Sequence, residues 1–290
     1  MALLLIDVSS LIYRAYHSLS PEKFKRPSDG LSNNAVYGVA SIIFKIINDI
    51  KTDYGSVYPI ACFDSPTCNV ERQKVQSEYK SNRPKCPEGL SHQFKWIREL
   101  FVAIKITCIE VQGYEADDII ATMCHTNYSK FKHVVIASPD KDLNQLLLEE
   151  NIIIYNPKSK VYMNKSQAEE KYKIKTHHFT LYQALVGDAV DNISGVYGIG
   201  PKTAVTLINN CDGDIQNFKQ SKKLKKKIDL VSENIALIES NMKMVTLNCE
   251  LELQYILPAR YTLEKMFSFG SFLTKMEINS GALWRYGKCP

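Results

Sequence analysis

The chain of 290 residues lacks any apolar stretch long enough to cross a bilayer, for which about 20 residues are needed. The longest such feature near its start, Leu3-Leu4-Leu5-Ile6, is strand-sized and follows no basic leader, so a cytoplasmic, non-membrane protein is expected. Thirteen glycines and eleven prolines are too few for a fibrous or low-complexity chain. None of the eight cysteines (62, 68, 86, 108, 124, 211, 249 and 289) forms a Cys-x-x-Cys pair or a paired His–Cys spacing, which argues against a zinc module. Cys62, Cys108 and Cys124 fall inside apolar runs and read as reduced core thiols rather than a disulfide framework. Apolar content of 45% with 23% charge leaves a globular chain with ample core.

What is present in unusual density is carboxylate. Gly113-Tyr114-Glu115-Ala116-Asp117-Asp118 places three acids within four positions, between the apolar run Ile104 to Val111 and a helical pattern of Ile119, Ile120, Met123 and Cys124. Acids at a helix start complement its dipole, so capping alone accounts for one such junction. Other junctions repeat the pattern. The strand-like runs Ala2 to Ile6, Pro59 to Phe63 and His133 to Ala137 run into Asp7, Asp64 and Asp140-Lys141-Asp142. With a helix at 33–50, a Leu-rich helix after Asp142 and a strand at 152–155, they describe a mostly parallel, doubly wound α/β sheet whose ligand site lies at the carboxyl ends of its strands. One strand-end Asp is more often a cap than a ligand; six acids at one edge leave negative charge that divalent cations would neutralise.

Between 70 and 105, eight cations face four acids, and Tyr79-Lys80-Ser81-Asn82-Arg83-Pro84 sets an aromatic beside two cations. Pro84 disfavours helix at Arg83, so these side chains are expected at a helix end, with phosphate contact weighed against an ordinary solvated face. Further on, Asp188 and Asp191 lie one turn apart and could add ligands. Gly195, Gly198 and Gly200 lead to Pro201-Lys202-Thr203, a helix start whose free N–H groups suit a phosphate, although an ordinary corner between helices has the same glycines. Six lysines between 219 and 227 read as a solvated face or a prolonged nucleic-acid track, and 245–276 is expected to pack back on the domain. The net charge is +5; with nine acids engaged by metal, 22 remain against 36 cations, a surface of +14 suited to a polyanion.

In order, Asp7, Phe63-Asp64, Tyr79-Lys80-x-x-Arg83, Gly113 to Asp118, Asp140-Lys141-Asp142, Gly187-Asp188-x-x-Asp191-Asn192 and Gly198-Ile199-Gly200-x-Lys202-Thr203-Ala204 resemble the structure-specific 5′-nucleases. The likeness is strongest to the 5′-to-3′ exonuclease domain at the N-terminus of bacterial DNA polymerase I and to phage flap endonucleases, over residues 2–275. It implies a PIN-like catalytic domain at 1–165 with a helical arch at 66–100, and a helical DNA-binding region at 166–290 with a helix-hairpin-helix near 184–210. One metal site would use Asp7, Asp64, Glu115, Asp117 and Asp118, the other Asp142, Asp188 and Asp191, with Asp140 between. Two Mg²⁺, replaceable by Mn²⁺, are implied, with K⁺ at the hairpin around 196–199. Lys80 and Arg83 match cations at the scissile phosphate, Arg14 a basic residue behind Asp7, and Tyr79 an aromatic near unpaired nucleotides; Arg72 joins them at the arch entrance. The implied activity is hydrolysis of DNA at 5′ flaps and duplex 5′ ends, with RNA primers as further substrates, by a monomer serving replication and repair. Departures are Ser194 in place of a usual proline, Pro139 before Asp140, and Glu71 where an aromatic is expected. A non-catalytic branched-DNA binder and a PIN-type ribonuclease are the rivals; the first should lack carboxylates and the second the glycine hairpin.

Overall fold

The computed structural model describes residues 1–219 and 221–287. Strands β1 (Ala2–Asp7), β2 (Val57–Phe63), β3 (Thr107–Glu110), β4 (His133–Ala137), β5 (Ile152–Asn156) and β6 (Val161–Met163) form one sheet in the order β3-β2-β1-β4-β5-β6. The first five pair in parallel and β6 is antiparallel. Every residue of β1 is buried, with Ala2, Leu4 and Ile6 entering one apolar cluster and Leu3 and Leu5 the other. A strand covered on both faces must be apolar throughout, which is why its sequence does not alternate. Truncating Leu4 or Leu5 to Ala is expected to cost about 2–5 kcal/mol.

The first face is covered by α1 (Val8–Ser18), α2 (Asn34–Tyr54) and, after the short α3 (Val70–Val75) and α4 (Glu88–Ser91), by α5 (Gln93–Ala103). The other face carries α6 (Ala116–Asn127). Next come α7 (Lys165–Tyr172), α8 (Phe179–Val186), the two-residue strands β7 (Gly187–Asp188) and β8 (Ile193–Ser194), α9 (Pro201–Cys211), α10 (Lys225–Glu233) and α11 (Ile235–Val245). Helices α8 to α11 enclose a third cluster around Leu181, Leu185, Leu207, Ile208 and Ile238. From 246 to 265 the chain runs as an irregular strap across the sheet domain, with Leu247 buried, before α12 (Phe267–Lys275) packs against α5 and α13 (Gly281–Trp284) closes the described chain. Residues 245–276 thus pack back on the domain as expected.

Four local expectations are corrected. The 104–111 run supplies a strand only at Thr107–Glu110, because 104–106 form the turn out of α5, with Lys105 at φ 57°. The segment after Asp142 is a 3₁₀ turn over Asp142–Leu146 rather than a full helix. The α5 part of the expected 66–100 arch belongs to the core, since Ile97, Leu100 and Phe101 are fully buried. Cys108, on edge strand β3, is exposed, whereas Cys62 and Cys124 are buried; Cys289 lies outside the described residues. No described helix is long and apolar enough to cross a membrane.

Candidate active site

The strand order reverses at β1, and the crevice at the carboxyl ends of β1, β2 and β4 is where such sheets place ligands. Asp7 ends β1 and caps α1, its Oδ1 accepting from Ser10 N at 3.1 Å and its Oδ2 from Ser138 Oγ at 2.7 Å. Asp64 follows β2 and accepts from Ala116 N at 2.7 Å, which ties it to the first turn of α6. Asp140 follows β4 and accepts from Asp142 N at 2.8 Å, while its own N–H donates to Ser138 Oγ at 3.0 Å. Ser138 therefore locks the β1 and β4 ends together. Its position just past a buried strand was the available sign of that role.

Asp117 sits at the centre of the crowd. Burial and the carboxylates of Asp140, Asp7, Glu115 and Asp64 push its pKa well above the usual carboxylate range, and among the described residues its side chain makes no hydrogen bond. Burial, with Asp64 nearby, raises Asp7 to about 6 against the donors Ser138 and Ser10. A second group gathers round Asp142, raised to about 7 by burial and by Asp140, Asp188 and Asp191. Asp142 Oδ1 accepts from Gln183 Nε2 at 2.7 Å, and Asp188 pairs with Lys141 Nζ at 2.9 Å. Neither Gln183 nor Lys141 was singled out in the sequence, because both are ordinary residues until the sheet and α8 meet.

The arch closes over this edge. Lys80 Nζ lies 2.5 Å from Glu115 Oε1 and 3.8 Å from Asp191 Oδ2, and Arg83 Nη2 lies 2.5 Å from Asp191 Oδ1. Burial opposes the charge on both cations, yet Glu115 and Asp191 together hold the Lys80 pKa, and Asp191 that of Arg83, above their ordinary values. Lys80 is at φ 55° within a turn, so these cations do not stand at a helix end as the sequence suggested. Tyr79 is 3% exposed, its hydroxyl donating within 3.3 Å of Glu115 and Asp191, so it is a buried strut under the arch rather than a free stacking surface.

Two further expectations change. Arg72 is not an open nucleic-acid contact: its guanidinium forks onto Asp118 with both N···O distances 2.8 Å and donates to Met244 O at 3.1 Å. Asp118, 1% exposed, also accepts from Asn248 N at 2.9 Å, so its carboxylate ties α6 to α3 and to the strap. Arg14 makes no ion pair with the carboxylates among the described residues and lines a cavity of about 350 Å³ with Lys45 and Arg285, between α1, α2 and α13.

Beyond Asp188 the chain turns through β7 and β8 to the hairpin. Gly187 and Gly195 let the two strands close: a Cβ on Gly195 would stand 2.2 Å from Val186 O. Gly200 caps α9, Pro201 occupies its first turn, and Gly198, Lys202 and Tyr197 are exposed, Tyr197 at 96%. Thr203 follows, half-buried, in the first turn.

Residues 2–173 match the family of the 5′-3′ exonuclease N-terminal resolvase-like domain, and residues 174–266 that of the 5′-3′ exonuclease C-terminal SAM fold. The chain belongs to the 5′-3′ exonuclease family. The exonuclease is 33% identical over 253 residues to the 5′-3′ exonuclease of Aquifex aeolicus, covering 87% of this chain and 83% of that one. It is also 33% identical over 262 residues to DNA polymerase I of Rhizobium leguminosarum, of whose length it spans 25%. Its fold is shared with the T5 D15 protein co-crystallised with metal ions, at a TM-score of 0.67 and 22% identity over 86% of this chain and 90% of that one. The catalytic core of Rad2 in complex with DNA substrate has the same fold at a TM-score of 0.59 and 15% identity, over 95% of this chain and 87% of that one.

The all-oxygen donor set of the exonuclease suits hard divalent cations, and the raised Asp7, Asp117 and Asp142 carry the like-charge stress that such cations relieve. Among the described residues no three acids, histidines or cysteines are drawn together closely enough to hold an ion by themselves. Mg²⁺ rarely uses one, since it keeps several waters and takes one or two carboxylates. Three carbonyls of the hairpin already accept hydrogen bonds: Val196 O from Ile199 N at 2.9 Å, Ser194 O from Asn241 Nδ2 at 2.8 Å, and Gly198 O from Lys227 Nζ at 2.9 Å.

Proposed function

We propose that this exonuclease is a metal-dependent, structure-specific 5′-to-3′ exonuclease and flap endonuclease that hydrolyses DNA near 5′ ends and flap junctions. The observation that carries this reading is Asp117, without a hydrogen bond among the described residues and surrounded by Asp7, Asp64, Glu115 and Asp140, with Lys80 paired to Glu115 and Arg83 to Asp191. Asp7, Asp64, Glu115 and Asp117 are the candidate holders of one divalent ion and Asp142, Asp188 and Asp191 of a second, with Asp140 between the groups. When bound, two Mg²⁺ or Mn²⁺ ions would activate water and offset charge on the attacking and leaving oxygens.

The residues supply the rest. Lys80 and Arg83 exchange their carboxylate partners for the scissile phosphate and offset its developing charge. Tyr79 holds the arch against Glu115 and Asp191 so that both cations stay over the cleft. Gly198, Gly200, Lys202 and Thr203 hold backbone phosphates of the duplex through the free N–H groups and positive end of α9. Such an enzyme removes primers and flaps during replication and repair, working as a cytoplasmic monomer, with RNA at the 5′ end tolerated.

An end-labelled duplex bearing a 5′ flap tests the reading. Incision near the junction with Mg²⁺, abolished by chelator, is the expected result. Tight flap binding with no incision in Mg²⁺ or Mn²⁺ would overturn it in favour of a branched-DNA binder.

A further inference from the structure

We infer that Lys227 is the hairpin's own tethered cation: its ammonium fixes the Gly198 turn and bridges it to a DNA backbone phosphate, so that duplex binding needs no particular monovalent ion. This rests on the DNA-binding role proposed above for the hairpin. Lys227 belongs to the lysine run that opens α10, yet differs from its neighbours. Lys222, Lys223, Lys225 and Lys226 are exposed, whereas Lys227 is half-buried and donates to Gly198 O at 2.9 Å. Its partner is the glycine whose φ of 82° turns the chain two residues before the α9 cap. The bond spans 29 residues and ties α10 to the tip of the hairpin.

The chemistry favours a bridge. An ammonium has three N–H donors, and Gly198 O uses one, leaving two at the surface. The cap of α9 follows two residues after Gly198, with Lys202 exposed in the first turn of the helix. Two further hairpin carbonyls accept hydrogen bonds, Val196 O from Ile199 N and Ser194 O from Asn241 Nδ2, while Gly198 O holds a cation supplied by the chain. A free ion would have to compete with the Lys227 ammonium for Gly198 O. The lysine run thus has one fixed member, and the other five lysines around it need only raise the local positive potential.

Fluorescence anisotropy with a blunt duplex, in chelator to prevent cleavage, tests this in potassium, sodium and tetramethylammonium chloride at equal ionic strength. The wild-type protein is expected to bind equally, within about twofold, in all three salts, because no counterion-specific site operates. Lys227→Met is expected to bind several-fold more weakly in tetramethylammonium, with the slope of log K against log salt shallower by about one unit. Potassium should restore part of its affinity by reaching the vacated Gly198 oxygen. Lys227→Arg should keep wild-type affinity in every salt, which separates lost charge from lost fold. Wild-type binding that depends on potassium, or a Lys227→Met protein indistinguishable from wild type, would overturn the inference alone. Absence of duplex binding by wild type in every salt would overturn the hairpin's DNA role and this inference with it.

Discussion

Arg72 and Asp118 show how a charge can serve a site without entering it. The fork between them is nearly buried, the Arg72 side chain being 11% exposed and that of Asp118 2%. Its far end holds Met244 O, so the pair joins α3, α6 and α11. Removing one partner of a buried pair strands the other, at about 3–5 kcal/mol. Arg72→Ala is therefore expected to lower the unfolding free energy by about 3 kcal/mol in urea titration, whereas a plain surface arginine would lose well under 1 kcal/mol. A loss that small would show that the fork is not formed in solution. Lys80 makes the opposite case, a cation whose partners are the candidate ligands. Lys80→Ala is expected to slow single-turnover cleavage by at least about 100-fold while changing substrate affinity by only a few-fold. Equal losses in both would reduce Lys80 to a backbone contact.

At the scale of elements, the hairpin depends on an approach that only glycine permits. Gly195→Ala would force its Cβ against Val186 O, so the β7–β8 turn must open. The expected result is a loss of about 1–3 kcal/mol together with weaker duplex binding, with faster hydrogen exchange at 187–200 and unchanged protection in β1 and β4. Unaltered exchange in that segment would contradict the close packing. The same scale explains what could be read in the chain. β1, β2 and β4 were legible because strands buried on both faces are apolar throughout and end abruptly at Asp7, Asp64 and Ser138-Pro139-Asp140. Asp188 and Asp191 were legible from spacing and from glycine. The underside of the arch was not, since Tyr79 and Arg72 look like surface residues in a charged segment, yet Tyr79 packs on Ile193, Met244 and Val245, over 100 positions away, and Arg72 bonds Met244 O. The Arg72–Asp118 fork was hidden for a related reason, since nothing nearby in sequence announces that Arg72 pairs with the third acid of the cluster.

Across the whole molecule the carboxylates set the pH response. Asp7 at about 6 and Asp142 at about 7 hold protons in the folded chain that the unfolded chain, with ordinary values near 3.8, has already released. Between about pH 4 and pH 7 the folded state thus binds more protons, and stability falls as pH rises through that window, levelling off above it. Differential scanning calorimetry in chelator should show Tm falling over this range, and added Mg²⁺ should raise Tm more at pH 8 than at pH 5, since it binds the ionised carboxylates. A Tm independent of pH there would mean that the acids are not crowded.

The central claim is that the cleft round Asp117 binds divalent cations, and calorimetric titration of Mn²⁺ at pH 8 into wild-type and Asp117→Asn protein tests it most directly. Two ions per wild-type chain are expected, with at least one lost in the variant while its circular dichroism stays unchanged. Identical Mn²⁺ binding by the two proteins would contradict the claim.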